Sequence, residues 1–363
     1  MAVTKQIQIG AQTNDIGADA QNVDYTNAAL EGVTSVKGAL DELVSGGGGG
    51  GGSEAVTPYF KNPPLPAWKS GLKVLIIGNS YTLYCIGDGN DSTMPTILNE
   101  LAVTTDEFKL SYMHAQSSTL AAWLNAFKNQ SIYGAHEYCE FENGAWKVHT
   151  NNIGTASIYN VVKNTAWDVV VFQTYPQTNT GSNEQAQNYE TFKATVKEFI
   201  YEIRKVCPNH NVAFGYHMIW AKNSSRAAYT TVWNNIVKAT ENLVADADVD
   251  IIVPTGTALM DAVSTETFKG ESHDFLVRDP AGHPGWGAAR YIAACVIWET
   301  LFAPVLGRSM YGLTQLPPYT RATTNPADIE VTALNIELCQ KIAMAAVCDR
   351  FNANTTIDPI VTP

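Results

Sequence analysis

Short runs of uninterrupted aliphatic residues constrain this chain most. Lys73-Val74-Leu75-Ile76-Ile77, Asp168-Val169-Val170-Val171-Phe172 and Asp250-Ile251-Ile252-Val253 are too short for helices and show no polar face. A strand reads this way when helices cover both of its faces, as in a parallel sheet. Further strands are expected at 109–113 and 212–219. Helical periodicity fills the intervals near 93–102, 118–128, 186–205, 225–244, 287–302 and 330–351. Strands alternating with helices predict an α/β fold, a three-layer α/β/α sandwich of flavodoxin-like class around a parallel sheet of roughly five strands. Glu142-Asn143-Gly144-Ala145, between 137–141 and 146–150, is a hairpin signal built on Asn-Gly. It reads as an excursion from the main sheet.

Seven consecutive glycines at 46–52, followed by Ser53, mark a flexible tether. They divide the chain into a leader over 1–45, a linker over 46–56, a main domain over 57–354 and a tail over 355–363. In the leader, Val33, Val36, Leu40 and Leu43 share one helical stripe. A small helical leader of that length cannot bury its own core, so the stripe calls for a second copy of the chain or another protein. The passage from Asn22 to Leu43 resembles a short module of phage tail-fibre and other virion proteins. That resemblance implies attachment or self-association through residues 22–44, with location in a virion or outside the cell.

The formal net charge of −12 and a charged fraction of only 16% argue against nucleic acid as partner, because phosphate binding needs a basic stripe. They disfavour an anionic membrane surface as well. No run of about 18 apolar residues is present to span a bilayer, and the first residues lack the apolar core of a secretory signal. Six cysteines, at 85, 139, 207, 295, 339 and 348, show no C-x-x-C pair and no zinc spacing, and read as free thiols. One or two disulfides stay open on sequence grounds, Cys339 and Cys348 lying nine positions apart. His136-Glu137-Tyr138-Cys139 lacks the second histidine of a zinc motif, so no metal is expected. The P-loop, the dinucleotide fingerprint and the G-x-S-x-G elbow are all absent, and no cofactor is expected.

Chemistry is expected where three loops leave the carboxyl ends of the strands, since ligands of doubly wound sheets sit there. Gly78-Asn79-Ser80 follows the first strand. Gln173 follows 168–172. Arg278-Asp279-Pro280-Ala281-Gly282-His283-Pro284-Gly285 precedes the helix near 287–302. Together they supply a hydroxyl, an amide, a carboxylate and an imidazole, the set that acyl transfer requires. Read without the others, Ser80 and Asp279 are equally good helix caps, and Gln173 and His283 ordinary loop residues.

With those blocks in place, the chain resembles the SGNH, or GDSL-like, hydrolase superfamily. Gly78-Asn79-Ser80 matches its first block, which implies Ser80 as nucleophile. Asp279 and His283 match its last block, implying His283 as base and Asp279 as the carboxylate that orients it. Trp167 to Gln173 is similar to the third block in a branch that carries Gln there, implying Gln173 as an oxyanion donor. Pro254-Thr255-Gly256-Thr257-Ala258 recurs in the same branch. Two features depart from the pattern. Asp279 precedes His283 by four residues rather than three, which leaves Asp274 or a backbone carbonyl as another acceptor. The second block, His114-Ala115-Gln116-Ser117-Ser118-Thr119, contains no glycine, so an oxyanion donor there is the backbone of Gln116 or Ser117.

Trp220 and His217, in Phe214-Gly215-Tyr216-His217-Met218-Ile219-Trp220-Ala221, sit at the end of a central strand. They read either as substrate-pocket wall or as core. His114 is equally ambiguous. Tyr175, and with it Tyr81, is a candidate for stacking on a sugar. The resemblance implies hydrolysis of small acyl esters, O-acetyl groups on carbohydrate being the preferred substrate. The alternative is a carbohydrate- or receptor-binding module that keeps the scaffold without turnover.

Overall fold

The computed structural model describes residues 5–9, 12–16, 71–86, 93–104, 106–133, 136–150, 157–174, 189–221, 226–265, 267–268, 282–318 and 325–351. The chain divides into two units, Met1–Gly52 and Ser53–Pro363. Within the first, β1 (Lys5–Ile9) and β2 (Gln12–Ile16) form an antiparallel hairpin, with Lys5 opposite Ile16 and Ile9 opposite Gln12. Strands here were not foreseen. Their signal is only the brief alternation Gln6-Ile7-Gln8-Ile9. The helical stripe at 33–43, the virion-like passage, the glycine tether and the tail from 355 lie outside the described residues.

The second unit is built on one seven-stranded sheet, ordered β6-β5-β4-β3-β7-β8-β9. Five of its strands are parallel: β3 (Leu72–Gly78), β4 (Phe108–Ala115), β7 (Val169–Phe172), β8 (Ala213–His217) and β9 (Ile251–Val253). In chain order these five run 2-1-3-4-5, the flavodoxin-like arrangement whose switch point lies between its first and third strands. Here that point is the gap between β3 and β7. The Asn-Gly hairpin, β5 (His136–Glu142) and β6 (Ala145–Thr150), is not the excursion expected. It extends the same sheet, β5 pairing antiparallel with β4 from Ser111↔Glu140 to Ala115↔His136.

Helices cover both faces. On one, Val74, Ile76, Val169, Val171, Ile251 and Val253 pack under α1 (Ser80–Ile86), α2 (Thr93–Glu100), α7 (Thr255–Ala262), α8 (Ala288–Leu301), α9 (Ala303–Leu306) and α10 (Ile336–Cys348). On the other, Leu75, Ile77, Val170, Phe172 and Phe214 meet α3 (Leu120–Lys128), α4 (Ile158–Lys163), α5 (Tyr189–Val206) and α6 (Arg226–Asp246). Adjacent residues of β3 thus serve opposite cores, which is why the strand alternates nothing and reads as a solid apolar run. Among the described residues no helix is long and apolar enough to cross a membrane. Cysteines 85, 139, 207, 295 and 339 are buried thiols, while the Cys348 thiol is exposed.

Helix α8 is buried along its whole length, as expected of a helix that is apolar all round. Its acidic residue, Glu299, accepts hydrogen bonds from the Ser309 hydroxyl and the Met310 N–H, both at 2.6 Å and both on Oε1. Its Oε2 is buried without a hydrogen-bond partner. Burial pushes the carboxyl up from 4.5 to about 7, against the pull of those two donors. Between those values the folded state keeps a proton that the unfolded chain has lost, so stability falls as pH rises through this window and levels off above it. The loss is on the order of 3 kcal/mol. Glu299→Gln keeps the Oε1 acceptor and removes the titration. Its melting temperature is expected to exceed that of the parent at pH 8 and not at pH 4.5, as thermal melts across that range will read.

Candidate active site

The turn after β3 is fixed by a knot of hydrogen bonds. Asn79 caps α1: its Oδ1 accepts the Tyr81 N–H at 3.0 Å, and its carbonyl accepts from Leu83 at 3.2 Å. Its Nδ2 donates to the Ser118 carbonyl at 3.1 Å, and its N–H to Gln173 Oε1 at 3.2 Å. The Gly78 carbonyl accepts from the Ser118 hydroxyl at 3.0 Å and from Trp123 Nε1–H at 2.8 Å. Asn79, Tyr81, Ser118, Trp123 and Gln173 are all buried, so the turn has little freedom to reshape. Glycine is required at 78 because a Cβ there would lie 2.1 Å from Thr82 Oγ1 and 2.6 Å from Gln173 Oε1. Ser80 follows as the first residue of α1, where backbone N–H groups have no acceptor within the helix.

His283 reaches Ser80 from the other end of the domain. Its Nε2 lies 2.8 Å from Ser80 Oγ, across 203 positions of sequence. The imidazole rests between two aromatic rings of α1, with centroids 5.2 Å from Tyr81 and 4.4 Å from Tyr84. The loop is held on both sides of the histidine. Upstream, Trp220 Nε1–H donates to the Gly282 carbonyl at 3.0 Å. Downstream, the Trp286 N–H donates to Asp328 Oδ1 at 2.7 Å and the Ala288 N–H to the Ile329 carbonyl at 2.7 Å. The approach is tight enough that a Cβ on Gly285 would lie 1.7 Å from the Ala327 oxygen, and one on Gly287 2.0 Å from that of Ile329.

The remaining expected residues fall into place differently. Gln173 stands at the end of β7 beside the serine turn, but its oxygen accepts from the Asn79 N–H and the Thr82 hydroxyl, and its Nε2 donates to the Thr174 carbonyl. It braces the turn in this structure, with that amide donor engaged by its own strand end. Gln116 and Ser117 are exposed on the turn closed by Ser118 N–H to the Ala115 carbonyl, Ser117 in the left-handed region at φ 55°. Asn79 Nδ2 ties that turn to the one that carries Ser80. Asp279, Asp274 and Tyr175 lie outside the described residues.

His217, read as substrate-binding, is a core residue. It is 1% exposed, bonds Thr255 Oγ1 through Nε2 at 2.8 Å, and is held by burial down at about 3 from the usual 6.5. It is therefore neutral near neutral pH. Trp220 is likewise buried, packed on Tyr81 at 5.2 Å between centroids, and supports the histidine loop rather than walling a pocket. Tyr81 is itself fully buried, out of reach of a sugar. His114 bonds Glu137 Oε2 at 2.7 Å, one strand over. No group of side chains suited to hold a metal occurs among the described residues.

Residues missed in the sequence reading include Tyr84, Asp328 and Arg290. The Arg290 guanidinium is buried, 4.4 Å from the Tyr84 ring centroid and 3.2 Å from that of Trp286. It backs the aromatic wall on which the imidazole rests. The glycine pair at 285 and 287 is the one sequence cue to the Asp328 contact, and it does not say which segment approaches.

Residues 73–315 match the family described as a domain of unknown function, DUF4886. The chain belongs to this family. A DUF4886 family protein from Bacteroides uniformis ATCC 8492 superposes with a TM-score of 0.58 at 19% identity, over 79% of this chain and 98% of that one. TesA aligns with a TM-score of 0.39 at 12% identity, over 64% of this chain and 99% of its own. A catalytic mutant of Axe2, an acetylxylan esterase from Geobacillus stearothermophilus, aligns at 0.39 and 11%, over 68% and 98%. No curated protein matches the chain. The likeness to the Bacteroides DUF4886 protein bears on the fold alone.

The knot at the serine turn is open to test. Gly78→Ala forces Thr82 or Gln173 aside in a packed interior and is expected to cost about 1–3 kcal/mol. Denaturant unfolding will measure the loss, and a variant as stable as the parent would show the turn to be loosely held.

Proposed function

We propose that this DUF4886 protein is a serine esterase of SGNH type that hydrolyses small acyl esters, O-acetyl groups on carbohydrate above all. The 2.8 Å contact between Ser80 Oγ and His283 Nε2 carries the reading. A hydroxyl bonded to an imidazole is the minimal arrangement for base-activated nucleophilic attack. Its position at the carboxyl end of the sheet, beside the β3/β7 switch point, is where such folds place their ligands. The order of the SGNH-like blocks along the sequence supports it independently.

In this mechanism Nε2 accepts the Ser80 proton, so the neutral ring carries its own proton on Nδ1. Asp279, four residues upstream, is the carboxylate proposed to hold that tautomer. As the proton moves to Nε2, Oγ bonds the ester carbon and the carbonyl oxygen takes the negative charge. The N–H of Ser80, at the start of α1, and the backbone of the 116–117 turn are the proposed donors to that oxyanion. Collapse of the tetrahedral intermediate breaks the bond to the alcohol, which leaves with the proton from Nε2. Water, deprotonated by the same nitrogen, then releases the acid and restores the serine. The half-buried Tyr84 beside the imidazole and the low fraction of charged residues favour a neutral sugar over an ionic substrate.

A fluorophosphonate probe is expected to label Ser80 and to leave Ser80→Ala unlabelled. Aryl acetate hydrolysis should fall at least about a thousandfold in Ser80→Ala and in His283→Gln. Acetate release from O-acetylated glycans, followed by mass spectrometry, tests the substrate class. An unlabelled parent, or a Ser80→Ala variant with parental turnover, rejects the esterase.

A further inference from the structure

We infer that Trp220 and Asp328 are positioning residues that hold His283 in register with Ser80, one from each side of its loop. The catalytic part of this inference rests on the esterase reading, while the geometric part stands without it. The imidazole meets the rings of Tyr81 and Tyr84 tilted at 43° and 50°, and such contacts alone do not fix how far the loop slides along α1. The polar contacts that flank it do. Trp220 secures the Gly282 carbonyl at 3.0 Å, immediately before the histidine. That indole also packs on Tyr81, whose N–H is the one capped by Asn79 at 3.0 Å. The base loop is thus registered against the cap that sets the nucleophile.

Asp328 secures the Trp286 N–H at 2.7 Å, three residues after the histidine. Its segment bridges Gly287 to Ile329 in parallel, with the two glycines admitting the approach. This segment lies beyond the family match at 73–315, so the chain draws part of the support for its histidine from outside the matched region. A side chain acting through backbone contacts of this kind never meets the substrate. Its loss misplaces the base, and a displacement of about 1 Å is enough to slow chemistry roughly 10²-fold.

Trp220→Phe keeps an aromatic ring and deletes the donor. Asp328→Ala deletes the acceptor, and Asp328→Asn retains an amide oxygen in its place. With aryl acetate, kcat is expected to fall about 10- to 100-fold in Trp220→Phe and Asp328→Ala with KM unchanged, and to recover to within about threefold in Asp328→Asn. In parallel, the His283 Cε1–H resonance, assigned by its absence in His283→Gln, reports the ring's place between Tyr81 and Tyr84. It is expected to move in the first two variants and to return in the third, thermal melts confirming that each is folded. Parental kcat together with an unmoved resonance in Trp220→Phe and Asp328→Ala overturns the inference, as does an Asp328→Asn variant no better than Asp328→Ala. A parent protein inert toward every ester sinks the esterase instead, and the resonance then decides the clamp alone.

Discussion

A hydrogen bond between side chains 203 positions apart sets the terms for the rest of this structure. For Ser80 and His283 to meet, the central strand must end where the last loop of the sheet domain arrives. The 2-1-3-4-5 order achieves this by leaving a crevice between β3 and β7. Ser80 rises from one lip of it. The other lip is β7, whose Gln173 reaches across to the backbone of Asn79. The turn is therefore bonded to both neighbouring strands, through Ser118 beyond β4 and Gln173 beyond β7, before α1 begins. A serine placed by one strand alone would follow every fluctuation of that strand.

The same requirement explains why the helix after the histidine is buried throughout. Helix α8 must pass under α1, α2, α7 and α10 to bring residue 283 to the crevice, so it has no solvent face. Its charged side chains are then dealt with locally. Arg290 lies against the rings of Tyr84 and Trp286, where a weakly hydrated planar cation is tolerated better than an ammonium. Glu299, a helical span away, receives two donors on one oxygen and none on the other. The first residue adds to the wall behind the imidazole. The second makes the stability of the same helix depend on pH.

Much of this was legible in the sequence. The solid aliphatic runs of β3, β7 and β9 gave away a sheet covered on both faces, and the blocks ending in Ser80 and His283 were read in the order the fold brings together. What escaped follows a physical pattern. The hairpin β5–β6 was seen as a hairpin, but its edge pairing with β4 depends on tertiary register that an Asn-Gly turn does not encode. Helices α1, α4 and α7 are six to eight residues long, too short for a 3.6-residue period to stand out. The helical pattern near 330–351 began too early, because Asn335 closes a turn before α10 starts at Ile336, its Oδ1 accepting the Thr332 N–H and its Nδ2 donating to the Glu330 carbonyl. Gln173 was expected to point an amide donor at a substrate. Which end of a buried amide faces which neighbour is decided by the Asn79 N–H and Thr82 hydroxyl across the crevice, and no one-dimensional pattern carries that. His217 and Trp220 share a strand end with the site, yet burial rather than position along the strand decides whether a side chain can touch a ligand.

Three glycines near Ser80 and His283 point to a common device. At 78, 285 and 287 a Cβ would collide with a neighbouring oxygen at about the length of a covalent bond or little more, 2.1, 1.7 and 2.0 Å respectively. At 285 and 287 the missing side chain lets the 327–329 backbone touch the histidine loop, and at 78 it admits the side chains of Thr82 and Gln173 to the serine turn. Contacts made directly to backbone have no rotamers to relax through, so they transmit position with less slack than side-chain packing does. The geometry of Ser80 and His283 is also held by neighbouring residues in sequence, and by Gln173 beyond β7, Trp220 beyond β8 and the 325–331 segment. Substituting Ser80 or His283 would leave this frame standing, whereas enlarging one of the glycines would move the frame and leave the two side chains intact but apart.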